Sequence, residues 1–169
     1  PEFWIALCCV AREVIVIGGW RAGKSTVLAF KLLVYIFLDM YSGKKGCLYW
    51  IVGPDYAQTR EEFRYLYEWF TKLEMVENSS RPMEGPRSIT LVGGTLIETK
   101  SAENPERLGS VAPDGILVVE AGQISEEVRT MLLGRTMEKS AWIMYGGTLE
   151  DDEGHAQWAW YQEAAKEWM

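Results

Sequence analysis

Short apolar runs alternate along the chain with longer stretches of helical period. Residues 13–17 (Glu-Val-Ile-Val-Ile) are a β-branched run that predicts a buried strand. Residues 26–40 are almost wholly apolar and predict a helix. Its longest apolar stretch, 27–38, is interrupted only by Lys31, so the helix is expected to be buried on nearly all sides. Residues 42–46 (Ser-Gly-Lys-Lys-Gly) read as a turn, and 47–52 (Cys-Leu-Tyr-Trp-Ile-Val) as a second buried strand ended by Gly53-Pro54-Asp55. Residues 56–75 then predict an amphipathic helix with Phe63, Leu66, Phe70 and Leu73 on one side and the charges mostly elsewhere.

Residues 77–85 are polar and predict a loop. Residues 87–92 and 95–100 predict a hairpin insertion joined by the two-residue turn Gly93-Gly94. Residues 101–115 lack a period and carry two prolines, the mark of a long functional loop. Residues 116–119 (Ile-Leu-Val-Val) are a third buried strand leading into Glu120. Ser125 can cap a helix whose first turn holds Glu126 and Glu127. Residues 141–145 predict a fourth strand that ends at Gly146-Gly147-Thr148. The tail, 156–168, reads as a helix with Trp158, Tyr161 and Ala165 on one side. This alternation argues an α/β fold with a mostly parallel central sheet and helices on both faces.

One loop in this pattern carries chemistry. Gly18-Gly19-Trp20-Arg21-Ala22-Gly23-Lys24-Ser25, followed by Thr26, fits the phosphate-loop spacing G-x-x-x-x-G-K-[ST]. Such a loop turns backbone N–H groups around a nucleotide phosphate. Its lysine reaches the β and γ oxygens and its hydroxyl binds Mg2+. The strand before it and the helix after it put the positive end of the helix dipole on the phosphate. The competing reading, a chance match in a Gly-rich turn, lacks a reason for both flanks. ATP with Mg2+ is the expected ligand.

In a parallel sheet ligands sit at the carboxyl ends of the strands. The phosphate loop, Glu120 and Gly146-Gly147-Thr148 all fall there. Glu120 would hold the metal or polarise the attacking water, or it is an ordinary strand-end acid. Hydrolases often place Asp before such a glutamate, and here Val119 stands there. So one acid does both jobs, or another residue completes the metal shell. Arg21 could stabilise the γ-phosphate or point to solvent. Arg107 in the long loop, with Arg135 as a rival, could reach the site of a neighbouring subunit or be a solvated surface charge. Thr148 could sense the γ-phosphate or simply end a strand. Phe3 and Trp4 could stack on adenine or belong to the core. Asp151 and Asp152 read as a solvated pair, and His155 has no partner signature.

Composition narrows the classes. The 169 residues, 48% hydrophobic, suffice for one domain with a full core. The cysteines are Cys8, Cys9 and Cys47, an odd number with two adjacent, which argues against a disulfide framework and for a reducing compartment. A single histidine argues against zinc. The net charge of −7 removes a whole-surface basic footprint, so DNA contact must be local or shared among subunits. No secretory pattern is visible, and the longest apolar run is too short to span a bilayer. A chain beginning at Pro1 reads as processed or as part of a longer protein.

The ordered set of motifs resembles the ATPase domain of tailed-phage large terminases, the motors that package viral DNA. The matching segments are Gly-Gly-Trp-Arg-Ala-Gly-Lys-Ser-Thr at 18–26, Trp-Ile-Val-Gly-Pro-Asp-Tyr at 50–56 and Ser-Ala-Glu-Asn-Pro-Glu-Arg-Leu at 101–108. Pro113-Asp114-Gly115 then leads into Leu-Val-Val-Glu-Ala-Gly-Gln-Ile at 117–124, and Gly146-Gly147-Thr148 looks like the family's coupling motif. The resemblance implies a P-loop NTPase fold of the ASCE, RecA-like kind. It implies ATP hydrolysis that drives double-stranded DNA through a portal protein into a capsid, with a small terminase subunit as partner.

By the same resemblance, Lys24, Ser25 and Arg21 would hold the triphosphate and its Mg2+, with Ser25 and Glu120 at the metal. Glu120 would be the catalytic glutamate, Arg107 would act on the adjacent subunit's ATP, and Gly147 and Thr148 would couple hydrolysis to movement. The assembly implied is a homo-oligomeric ring, usually of five. The isolated domain could be monomeric, with no membrane contact, in the host cell cytoplasm. Departures are Val119 in place of the Asp, no glutamine before Gln58 to read adenine, and no acidic cluster for a nuclease domain, so this chain is not expected to cut DNA. Other oligomeric ATPases or helicase-like motors, a small-molecule kinase and a low-turnover nucleotide switch are the competing functions.

Overall fold

The computed structural model describes residues 11–19, 21–109, 111–149 and 159–167. The readings made for Phe3, Trp4, Cys8, Cys9, Trp20, Asp151, Asp152, His155 and Trp158, and for the side chain of Ala165, lie outside the described residues.

The elements in order are β1 (Glu13–Ile17), α1 (Lys24–Tyr41), β2 (Leu48–Gly53), α2 (Arg60–Lys72), β3 (Val76–Ser80), β4 (Ser88–Leu91), β5 (Leu96–Ser101), β6 (Gly115–Val118), α3 (Glu126–Lys139), β7 (Trp142–Gly147) and α4 (Ala159–Glu167). The strands form one seven-stranded sheet in the order β1-β7-β6-β2-β5-β4-β3. The first five in that order run parallel, and β4 and β3 add an antiparallel edge. Helices cover both faces, as the alternation predicts.

The two faces follow from the period of two in every buried strand. Val14, Val16, Tyr49, Ile51, Leu117, Val119, Trp142 and Met144 point to the side covered by α1 and α2. Their chain neighbours Ile15, Ile17, Trp50, Val52, Ile116, Val118, Ile143 and Tyr145 point to the other side, among residues of α3 and α4. β1, β2, β6 and β7 are apolar on both faces because each is covered on both faces.

Several details differ from the expectation. Residues 77–80, predicted as loop, belong instead to β3, which starts at Val76. Among the described strands β3 pairs only with β4 and is the sheet edge, so its side chains are largely solvated and need no apolar period. The second helix starts at Arg60, not Tyr56. Residues 55–59 instead form a turn in which the Gln58 N–H donates to Asp55 Oδ1 at 2.9 Å and the Thr59 hydroxyl donates to the Tyr56 carbonyl at 2.9 Å. Leu73 lies past the end of that helix and is exposed. The hairpin loop has three residues, 92–94, because the Leu91 N–H donates to the Thr95 carbonyl; Gly93 and Gly94 both adopt left-handed backbone there. Helix α1 is not buried on nearly all sides. Phe30, Phe37, Leu38 and Tyr41 are exposed, since α1 rests one face on the sheet and one flank on α2, and no further described layer covers its outer stripe.

Candidate nucleotide-binding site

Strand β1 leads into Gly18 and Gly19, and Arg21 to Gly23 open into α1. The loop is tied to the sheet by the Gly18 N–H, which donates to the Gly147 carbonyl at 3.3 Å, and closed by the Ala22 N–H donating to the Gly19 carbonyl at 3.3 Å. Gly23 stands at the helix cap with φ 81°, a backbone that an L side chain rarely adopts. The cap offers no side-chain acceptor and the first turn holds no acid, so the amino end of α1 is suited to an external anion. Lys24 curls over the loop, its Nζ donating to the carbonyls of Gly18 at 2.9 Å and Gly19 at 2.8 Å. Burial lowers the Lys24 pKa, and the negative charge of Glu120 opposes that shift. The lysine and the glutamate therefore share one electrostatic site.

Glu120 arrives from β6. Between β1 and β6 lies only β7, so the loop and Glu120 leave the same edge of the sheet about 10 Å apart at the usual strand spacing. A strand inserted between the loop strand and the acid strand is the arrangement of the expected class. Glu120 has φ 47° and ψ 48°. Among the described residues, the non-glycine positions with positive φ are Arg21, Glu74, Glu120 and Ser140. Glu74 and Ser140 lie at helix ends, where left-handed backbone is common. Arg21 and Glu120 do not lie at the carboxyl end of a helix: Arg21 sits in the loop before α1, and Glu120 leads into the 3₁₀ turn of Ala121–Gln123. A left-handed glutamate costs on the order of 1–2 kcal/mol, and such residues cluster at functional sites.

Gly146 and Gly147 join the two halves. A Cβ at Gly147 would meet the Tyr161 hydroxyl at 2.9 Å and the Ala121 N at 3.1 Å, so this glycine touches the turn of Glu120 while its carbonyl holds Gly18. Thr148 follows at the same edge, half-buried.

Two residues that the pattern does not assign to a site also reach it. Tyr161 on α4 has a buried hydroxyl with no hydrogen-bond partner among the described residues, and burial together with the charge of Glu120 pushes its pKa up. Glu62 on α2 is 3% exposed. The Ser25 hydroxyl hydrogen-bonds its carboxylate, while Oε2 is buried and without a partner among the described residues. Burial pushes the Glu62 pKa up to about 7; the Ser25 hydrogen bond pulls it down and the charge of Glu120 pushes it further up. Helical spacing is the available signal: Glu62 precedes Leu66 and Phe70 by one and two turns, on the apolar side.

The arginines fall differently. Arg21 is exposed at the loop. Arg107 is exposed on a short 3₁₀ turn after β5. Since β5 is four strand spacings from β1, about 19 Å, Arg107 is not brought to the loop of its own chain. It instead lines an open cleft of about 310 Å³ with Arg87 and Lys100. Arg135 on α3 is paired with Glu138 at 2.7 Å. Val119 points into the α1 and α2 core, 2% exposed.

A divalent cation tests well against these residues. Ser25 Oγ, the orphaned Glu62 Oε2 and Glu120 are hard oxygen donors of the kind Mg2+ takes. Among the described residues no group of three or more His, Cys, Asp or Glu side chains could hold a metal ion, so phosphate oxygens would have to complete the shell.

Fold and site together define a phosphate-loop NTPase fold. Among solved structures the chain is similar to the large-terminase ATPase domain of Thermus phage P74-26, with a TM-score of 0.70 and 17% identity over 94% of this chain and 66% of that one. It is also similar to the large terminase of a thermophilic bacteriophage in complex with ATP-γ-S (TM-score 0.65, 14% identity, 86% and 37% covered) and to that of bacteriophage HK97 (0.62, 14%, 88% and 32%). At such identities the likeness establishes the fold: that of phage large-terminase ATPase domains. The chain spans about two thirds of the first of these proteins and about a third of the other two. The sequence matches no protein-family model and no curated protein sequence. Among the described residues no helix is long and apolar enough to cross a membrane.

Proposed function

We propose that this chain is an Mg2+-dependent ATPase domain of a motor that translocates double-stranded viral DNA into a capsid. The observation that carries the reading is the meeting of Lys24 and Glu120 at one sheet edge, at the amino end of α1, within a terminase ATPase fold. Nucleotide binding is supported further by structures of the thermophilic-phage terminase with ATP-γ-S and with ADP.

In this reading the backbone of residues 18–23 cradles the phosphates, and Lys24 leaves the Gly18 and Gly19 carbonyls to pair with phosphate oxygens. Ser25 and an acid beside it would hold Mg2+, whose chemistry would be to neutralise the charge that develops on the phosphate oxygens. Glu120 orients the attacking water and accepts its proton. Arg21, exposed in the loop, stabilises charge at the γ-phosphate. Arg107, too far from its own loop, is free to serve the neighbouring subunit in a ring. Gly147 and Thr148 connect loop and acid and couple hydrolysis to movement. The remaining partners are a portal protein, a small terminase subunit and DNA, in the host cell cytoplasm.

The test is the ATPase rate per subunit across a wide range of protein concentration. A rate rising steeply with concentration supports a site completed by a neighbour. A flat but real rate favours a self-contained ATPase. Lys24→Ala should abolish turnover, and Glu120→Ala should spare ATP binding while stopping hydrolysis; undiminished hydrolysis in Glu120→Ala rules out its catalytic role.

A further inference from the structure

The acid that usually precedes the catalytic glutamate holds Mg2+ together with the phosphate-loop hydroxyl. Here that position is Val119, and its side chain is sealed in the core with Leu117, Phe63 and Leu66. A Cβ at Gly53 would meet Thr59 Cγ2 at 2.8 Å and Val119 Cγ2 at 3.2 Å, so Val119 and the residue that caps α2 converge on one point. One turn along that helix stands Glu62, on the same face of the sheet, with its carboxylate on the Ser25 hydroxyl and one oxygen orphaned in the interior.

An unpaired carboxylate oxygen in the interior is costly unless something completes it. We infer that Glu62 is the second protein oxygen ligand for the divalent ion, beside Ser25, replacing from α2 the acid that β6 lacks at Val119. The inference rests on the nucleotide-binding reading above and names the metal-holding residue within it. It leaves Glu120 to the water, which resolves how one strand-end acid could serve two roles.

The test is the equilibrium affinity for ADP, measured with Mg2+ and with EDTA, for the wild type, Glu62→Gln and the double variant Glu62→Gln/Val119→Asp. Circular dichroism verifies that each is folded. The wild type is expected to bind ADP more tightly with Mg2+ than without. Glu62→Gln should lose about 10-fold or more of that gain, the usual scale for losing a metal-supporting carboxylate, with its EDTA affinity unchanged. The double variant should recover the gain, since the carboxylate returns at the end of β6, on the same face of the sheet. A Glu62→Gln protein that keeps the full Mg2+ gain overturns the inference, as does one that loses affinity equally with and without Mg2+. A wild type that binds no ADP under either condition instead overturns the nucleotide reading itself, and the inference with it.

Discussion

Replacing Gly146 with alanine tests how the sheet supports the phosphate loop. Gly146 lies in β7, paired with Val16 of the loop strand. A Cβ there would fall 2.3 Å from Leu28 Cδ1, 3.0 Å from Cδ2 and 3.1 Å from Cγ. Carbon atoms rest at about 3.5–4.0 Å, so Leu28 would have to retreat by roughly 1.5 Å. It has little room: Leu28 is 2% exposed and lies one turn beyond Lys24. Overpacking of this size costs about 1–3 kcal/mol.

Leu28→Ala alone should cost about 2–5 kcal/mol through its cavity. The double variant should not sum these costs, because each change relieves the other; a favourable coupling of at least ~1 kcal/mol is expected for side chains in contact. Urea unfolding of all four proteins measures it. The same push on α1 displaces Lys24 and Ser25, so Gly146→Ala should also weaken ADP binding. Stability of Gly146→Ala within about 0.5 kcal/mol of wild type, or additivity to within that margin, would refute the packing argument.

Glu62→Gln should also change the pH dependence of stability. The folded-state pKa of about 7 lies above the ordinary 4.5, so folding favours the neutral acid; that advantage is whole below the ordinary value and is lost as pH rises through 7. Relative to wild type the variant should gain roughly 3 kcal/mol between pH 4 and pH 8 in urea titrations, and a pH-independent difference would sink the assignment. Ser125→Ala removes the acceptor for the Val128 N–H at 3.3 Å and should cost about 1 kcal/mol without altering ADP affinity; an unchanged unfolding midpoint contradicts this. Arg107→Ala should depress turnover only at protein concentrations where the wild-type rate rises, with ADP affinity intact; full turnover at those concentrations would remove Arg107 from the neighbouring site.

The buried strands are legible because a strand covered on both faces must be a short apolar run, and these runs have no competing use in the chain. The edge strand β3 is not legible, since a strand with one neighbour and solvated side chains carries no hydrophobic period. The start of α2 escapes the pattern for a similar reason. Asp55 and Thr59 hold a turn through hydrogen bonds of their own, and a polar turn before a helix resembles its first turn in sequence. Composition alone predicts burial all round for the helix after the phosphate loop, but burial depends on how many layers surround it, and here no described layer covers the outer side.

The chain order of residues by itself determined the candidate phosphate loop, the strand-to-helix context around it, the strand-end position of Glu120 and the sheet class. All of these are local: a loop must be short and glycine-rich to approach a phosphate, and a parallel strand must be apolar along its length. Only the tertiary structure decided which groups meet. The order β1-β7-β6 set Glu120 near Lys24, the distance to β5 removed Arg107 from its own loop, and the packing of α2 on the sheet brought Glu62 to Ser25 while turning Val119 into the core. Residues 62 and 119 are far apart along the chain, and a pattern that reads one face of one helix carries no information about what that face is pressed against.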